Sequence, residues 1–428
     1  MLLFYTDTIT ERLNYICHFI LKEQLGIDYV VTTNPADCNH SANHLIYYGK
    51  HPSNSNNFHV KPQGILYEKD IRHQHIDCYV VDEYKAFFFT NANDFPFDIF
   101  AAAFFLLSRY EEYLPHEKDI YGRYAHEQSV AFKHDFLHLP LVNIWIAAFR
   151  VALTKKFPEL KCKTPVFKTI LTYDIDIAWS YKNKGIIRNI GGFLVKPSLE
   201  RLMVLLQLKK DPFDAYKFLD KLHELCNREV IYFFLVADEI SRYDKNISPK
   251  SNPMQQLIRQ HANKYCIGIH PSWKSNKNLA TLRKEIHQLQ EIVSEPIHHS
   301  RQHYIQFTLP ETYERLQDAG IKKEYSMGYG SINGFRASFA GSYFWYNLSK
   351  EKITSLQLYP FCYMDANSFY EQKQHPVGAK KELEAFIEQC KLYNGLFISI
   401  FHNNFLGEDK QFSGWKAMYA QFISQLRQ

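Results

Sequence analysis

From residue 166 onward, short apolar runs alternate with stretches of helical period. Phe167–Tyr173, Val230–Val236, Tyr265–Ile269, Glu324–Met327, Ser355–Tyr359 and Leu396–Phe401 have the length and composition of strands. Between them, apolar side chains recur three and four residues apart. Phe213–Leu225, for example, follows Asp211-Pro212, a cap and a proline suited to a first helical turn. Strands alternating with helices predict a parallel sheet or barrel. Residues 1–165 read differently. Leu45–Tyr48, Tyr79–Val81 and Ala86–Thr90 predict short strands among polar turns such as the one at 52–56. Asp98 is placed to cap a helix that carries Phe100, Phe104, Leu107 and Tyr110 on one face. A second helix is expected over Val142–Phe157. Lys161–Thr164, just before Pro165, predicts a boundary, so the expected domains are 1–165 and 166–428. No internal repeat is visible.

Composition narrows the class. The 428 residues are 46% hydrophobic, enough for two cores. The aromatic fraction of 16% also offers stacking surfaces for sugar rings. Fifty basic and 45 acidic residues nearly balance at +5, and no long basic block argues for nucleic acid as a partner. The eight cysteines are scattered without a CxxC pair, which argues against a zinc–thiolate site and suits free, packed thiols. Met1–Leu21 lacks the charged, apolar and small-residue regions of a signal peptide. The longest uncharged apolar run, Ile99–Leu107, is far short of the roughly 18 residues of a membrane span. The expectation is a cytoplasmic protein. No GxGxxG, GK[ST] or GxSxG motif is present.

Chemistry-bearing residues gather where the predicted strands end: Asp174 and Asp176 after the first, His270 after the third, His402 after the last. In α/β folds the active site collects at those C-terminal ends. Asp174 and Asp176, two apart on an extended segment, face one side. One can hold a metal while the other takes a proton from water. Read singly, they are a helix cap and a surface acid. His270, at the end of Cys266-Ile-Gly-Ile-His270, suits a zinc-like ion. His402, in Ile398-Ser-Ile-Phe-His402, suits proton donation to a leaving group. Each histidine taken alone reads first as a structural one.

Taken in order, these pieces resemble the polysaccharide deacetylases, the carbohydrate esterases with a NodB-like domain. Thr172-Tyr-Asp-Ile-Asp176 resembles the first motif, which makes Asp174 the base and Asp176 a metal ligand. The second motif matches His270. Arg301-Gln-His-Tyr304 resembles the third, in which Arg301 orients the base and the Tyr304 N–H faces the oxyanion. His402 matches the last motif, and Asp365 is the counterpart of the acid that tunes it. The resemblance spans Thr172 to about Leu406. It implies a distorted (β/α) barrel of NodB type, preceded by a smaller α+β or α/β domain. It also implies a divalent ion, zinc first among them, and an acetylated glycan or glycan precursor as substrate. Phe97–Leu114 further resembles an uncharacterised domain that precedes such deacetylases in some bacteria.

Two positions depart from the pattern. The family's second histidine, four residues after His270, is Lys274 here, and His303 stands where proline is usual. His299 and His303 spell HxxxH, but on an extended segment they would lie roughly 13 Å apart. Only one can therefore serve, and His303, at the strand's C-terminal end, is expected to replace the lost ligand. Two rival readings stand beside this one: a degenerate deacetylase fold that binds glycan without cleaving it, and an amidohydrolase-like site at His73-Gln-His75. Leu194–Lys210 reads either as a core-facing helix or as a basic amphipathic surface that meets a membrane.

Overall fold

The computed structural model describes residues 1–39, 44–51, 55–92, 94–226 and 228–426, so the polar turn at 52–56 lies partly outside the described residues. The chain forms two compact units. The first comprises Met1–Lys168, Gly334–Pro360 and Glu388–Leu396; the second comprises Thr169–Asn333, Phe361–Ile387 and Phe397–Gln428. No helix among the described residues is long and apolar enough to cross a membrane.

The first unit opens with β1 (Leu2–Thr6), β2 (Tyr29–Thr32), β3 (His44–Tyr48) and β4 (Phe58–Val60), a parallel sheet in the order β2-β1-β3-β4. A hairpin of β5 (Tyr79–Val81) and β6 (Tyr84–Ala86) follows. The strand expected over Ala86–Thr90 stops at Ala86, because Phe88 takes a left-handed φ of 59° that breaks the pleat. The helix Ile99–Leu107 begins as expected, with the Asp98 carboxylate accepting from the Ala101 N–H at 3.0 Å. Every one of its residues is buried, as its all-round apolar composition requires. Phe100 packs edge-on against Phe4 and Tyr48, at centroid separations of 5.2 and 5.6 Å. Left-handed Arg109 ends this run before Tyr110. The helix Leu141–Lys156 occupies the span expected of it.

Arg109 also anchors a buried ionic cluster. Its Nε donates to Glu112 at 2.7 Å and its Nη2 to Glu111 at 2.8 Å, while Arg336 donates to both Glu112 oxygens at 2.9 and 2.7 Å. Burial alone would raise the Glu112 carboxyl, but Arg336 and Arg109 hold it down at about 2. Its contribution to stability is therefore complete above the ordinary carboxylate range and fades as pH falls toward about 2. Glu112→Ala leaves two buried guanidinium groups short of a counter-charge, and is expected to destabilise the protein by about 3–5 kcal/mol in denaturant unfolding at neutral pH. A loss under about 1 kcal/mol, the value of a solvated surface pair, would contradict this.

The second unit starts with β7 (Lys168–Ile175), β8 (Glu229–Leu235), β9 (Cys266–His270), β10 (His299–Ser300) and β11 (Lys323–Glu324). The chain then supplies the first unit with an antiparallel pair, β12 (Tyr343–Asn347) and β13 (Lys352–Leu358). It returns for β14 (Tyr363–Met364) and β15 (Leu396–His402). The second unit's strands follow the order β11-β10-β9-β8-β7-β15-β14, and the pairings β11–β10, β10–β9, β9–β8, β8–β7 and β15–β14 are parallel. This is the large, predominantly parallel sheet that the alternation predicts. No pairing joins β11 to β14 among the described residues. β8, Glu-Val-Ile-Tyr-Phe-Phe-Leu, is buried from its second residue to its last, as a strand covered on both faces must be.

Three elements differ from their expected extents, each for a local reason. The strand expected over Glu324–Met327 ends at Glu324, whose own carboxylate takes the Ser326 N–H at 2.8 Å. The helix expected from Phe213 starts at Tyr216, because Asp211 spends its carboxylate on the N–H groups of residues 180–182 as well as on Phe213. Leu194–Lys210 is not one helix. Pro197 separates Ile186–Val195 from Leu199–Leu205.

Candidate metal centre and catalytic groups

β7 ends on Asp174-Ile175 with Asp176 the next residue, β9 ends on His270 and β15 on His402, so a parallel sheet delivers all four side chains to one edge. The β10 strand stops at Ser300. The chain then turns through Arg301 and Gln302 into a short 3-10 turn, His303–Ile305, that brings His303 to the same edge. Asp176, His270 and His303 offer ligand atoms that all lie within 4.8 Å of one another, the one such group of three among the described residues.

Hydrogen bonds behind the two imidazoles fix how they face the carboxylate. His270 Nδ1 lies 2.5 Å from the Arg301 carbonyl, which can only accept, so Nδ1 carries the proton and Nε2 turns a lone pair outward. That Nε2 sits 3.1 Å from Asp176 Oδ1, a buried oxygen with no hydrogen-bond partner. His303 is arranged alike: Nδ1 donates to Asp244 Oδ1 at 3.0 Å, and Nε2 lies 3.6 Å from Asp176 Oδ2. Two nitrogen lone pairs aimed at a carboxylate need a shared cation, and a backing acceptor on the far ring nitrogen is the usual companion of a metal-ligating histidine. The donor set therefore fits a divalent ion. With protons alone in that place, burial is outweighed by Asp176 and Asp244, and His303 is pushed up to about 9. Likewise burial, which would raise Asp176, is outweighed by His303, His270 and His402, leaving its carboxyl well below the usual range.

Asp174 is buried beside this group and held from behind. Arg301 donates through Nη1 to Asp174 Oδ1 at 2.9 Å and to Thr172 Oγ1 at 2.7 Å, and through Nε to the Tyr325 carbonyl at 3.0 Å. Its guanidinium lies over the Phe233 ring, 4.4 Å from the centroid. Phe233 can sit there only because β9 has a glycine opposite: a Cβ on Gly268 would come within 2.4 Å of the ring. The other Asp174 oxygen, Oδ2, faces the metal group, 3.8 Å from His270 Nε2.

On the other side stands His402. Asp365, fully buried, accepts from its Nδ1 at 2.6 Å and from its backbone N–H at 2.7 Å. Burial of the ring works against its charge, yet Asp365 and Asp176 together push His402 up to about 10 when no cation shares the Asp176 carboxylate. Its Nε2 points at Asp176 Oδ2 from 3.6 Å.

Tyr304 adopts φ 59°, followed by Ile305 at 54°, two left-handed residues in succession of the kind that persist at functional sites. Its ring meets Tyr243 and Trp273 edge-on, and those two rings stack at 3.9 Å. Asp244 joins this aromatic wall to the metal group, since its Oδ1 takes the Trp273 N–H at 3.0 Å as well as His303 Nδ1.

All eight residues expected from the sequence thus fall in one region of the second unit. Others do not. The Lys274 side chain is exposed and faces Glu239 at 3.3 Å. His299 lies on β10 beside Cys266 Sγ at 3.5 Å, outside the cluster. His73 and His75 are exposed, and His75 pairs with Asp77 at 2.8 Å. The sequence reading passed over Asp244 and Tyr243. Asp244 follows the end of β8 by nine residues, too far for a rule that looks at the first residue or two beyond a strand.

Comparison with known proteins places a family of unknown function, DUF7033, over residues 2–158. No curated protein matches the sequence. Among solved structures, the chain is similar to a polysaccharide deacetylase from Mycobacterium smegmatis, at 14% identity and a TM-score of 0.41 over 63% of this chain and 89% of that one. A polysaccharide deacetylase from Pseudomonas aeruginosa matches at 12% identity and a TM-score of 0.37, covering 60% and 84%. The polysaccharide deacetylase Bc1974 from Bacillus cereus matches at 10% and 0.30, covering 60% and 88%. Likenesses this distant carry no argument about the chemistry, which has to be read from the side chains themselves.

Proposed function

We propose that the chain is a metal-dependent hydrolase that removes N- or O-acetyl groups from a glycan. The observation that carries this reading is the cluster itself: a carboxylate and two back-bonded imidazoles, flanked by an arginine-held carboxylate on one side and a carboxylate-held imidazole on the other. Asp176, His270 and His303 would hold the ion, and two nitrogens with one carboxylate suit zinc. When bound, such an ion lowers the pKa of a water and polarises an acyl oxygen. Asp174 takes the proton from the attacking water through Oδ2, while Arg301 holds it aimed through Oδ1. Protonated His402 gives its Nε2 proton to the departing amine or alcohol, and Asp365 stabilises the imidazolium and holds its tautomer. The Tyr304 N–H serves the oxyanion. Tyr243, Trp273 and Tyr304 offer ring faces to a sugar.

In this reading, the catalytic domain lies within residues 166–428 and its sheet is the distorted barrel of NodB type, while 1–165 form a separate domain that residues 334–360 and 388–396 join. The test is metal content followed by acetate release from a panel of acetylated sugars. We expect about one divalent ion per chain, loss of acetate release on chelation and its return with zinc. A chain that takes up no ion would be a glycan-binding relic instead.

A further inference from the structure

Residues 182–210 form a highly exposed protrusion, and its surface is unlike the rest of the molecule. Of 28 large hydrophobic side chains exposed among the described residues, twelve fall between Ile186 and Leu208. Ile186, Ile187, Leu194, Val195, Leu199 and Leu208 are each 76–88% exposed. In the helix Leu199–Leu205 only Val204 is buried, so this segment does not face the core as one of the two sequence readings held. The two helices also leave between them an apolar groove of about 530 Å³, lined by Ile186, Ile190, Phe193, Leu194, Leu202 and Leu205. Monomeric proteins rarely leave so much contiguous apolar surface without a use for it.

Charge says what covers it. Residues 182–210 hold seven basic side chains and one acidic, net +6, against +5 for the whole chain; the remainder of the protein therefore carries −1. Arg201 is spent inside the protrusion, on the Asn189 carbonyl, and Arg188 outside it, on the Lys245 carbonyl. Lys182 and Lys196 remain exposed around the apolar side chains, as do Lys209, paired with Glu200, and Lys210, 3.7 Å from Asp214. An isologous dimer would press two such +6 faces together, which disfavours a second copy. Apolar helices ringed by lysine match the surface of an anionic bilayer, where the apolar side chains enter the acyl boundary and the ammonium groups meet phosphate.

We propose that the protrusion 182–210 docks the protein on anionic phospholipid membranes. Its placement brings the sheet edge with it. The protrusion begins six residues after Asp176, and Asp211 staples its two ends by accepting from the N–H groups of Ser180, Tyr181 and Lys182. Asn403, next to His402, donates to the carbonyls of Ile177 and Phe213 on either side of it. The membrane surface and the mouth of the cluster are thus served by the same stems. The docking itself does not rest on the deacetylase reading, and its test needs no activity.

The test is flotation of the full-length chain with phosphatidylcholine vesicles, with and without phosphatidylglycerol. We expect flotation only with phosphatidylglycerol at low salt, falling as salt rises. Lys182→Glu/Lys196→Glu/Lys210→Glu should weaken partitioning by about a hundredfold, and Leu194→Asp/Leu199→Asp by about tenfold. All five positions are exposed, so circular dichroism should be unchanged. Protein that stays at the bottom with anionic vesicles overturns the proposal. So do variants that float like the parent, and so does a parent dimer that Leu194→Asp/Leu199→Asp dissolves in sedimentation, since the patch would then belong to a second copy.

Discussion

Asp176→Ala is expected to lose both its ion and its activity, whereas Asp174→Asn keeps the ion and loses about 10²–10⁴-fold in acetate release. The two acids are only two residues apart at the end of β7, Asp174 within the strand and Asp176 just beyond it, yet their surroundings divide their roles. Asp176 is the carboxylate that faces three imidazole nitrogens: His270 Nε2 at 3.1 Å, His303 Nε2 at 3.6 Å and His402 Nε2 at 3.6 Å. Remove it, and His270 and His303 are left as a pair of neutral donors with no anion between them. Asp174 is tied on its far side to Arg301 and Thr172 rather than to an imidazole. Asparagine at that position keeps an oxygen for the Arg301 donor but cannot accept a proton at pH 7. Elemental analysis of each purified variant, read beside its acetate release, separates the roles. Equal metal loss in both variants would show that the two carboxylates share the ion.

How much of this could be read in the sequence follows from the range of each interaction. The strand ends of β7, β9 and β15 were legible, because long apolar runs reveal themselves and a polar residue just beyond one stands out. β10 and β11 have two residues each; the sequence marks an extended stretch before His303 and a strand from Glu324, but not where either stops. They owe their existence to parallel pairing with β9 and with each other. Within the first unit's sheet, β3 was visible, whereas β1 opens on an apolar stretch, Leu2-Leu-Phe-Tyr, with no turn before it to mark it as a strand. β13 was seen as a strand, but its antiparallel partner, five residues of mixed polarity around Trp345, was not. The break at Pro197 was there to be read and outweighed by leucine periodicity. Asp244 is the instructive absence. A loop acid reaches His303 across 59 positions, and nothing local to either residue announces the bond.

His303→Ala should empty the metal site, and His299→Ala should leave it filled. Lys274, four residues after His270, is no candidate, because its exposed side chain faces Glu239. HxxxH at 299–303 presents two. Backbone geometry separates them. His299 is on β10, paired in register with Lys323, and its ring faces Cys266. Burial and the nearby Lys323 lower it to about 4, a histidine kept neutral inside the sheet. His303 lies beyond the strand, after the turn at Arg301, with Nδ1 on Asp244 and Nε2 toward Asp176. The same backing bond supplies a graded control. Asp244→Ala leaves the ligand in place but frees its ring, and loss of such a partner costs about 10–100-fold in metal affinity. The expected series in competition with a chelator is therefore His299→Ala equal to the parent, Asp244→Ala weaker and His303→Ala empty. A His303→Ala protein with its full complement of ion would remove His303 from the ligand set. His402, whose Nε2 stands equally far from Asp176 at 3.6 Å, would then be the ligand to substitute next.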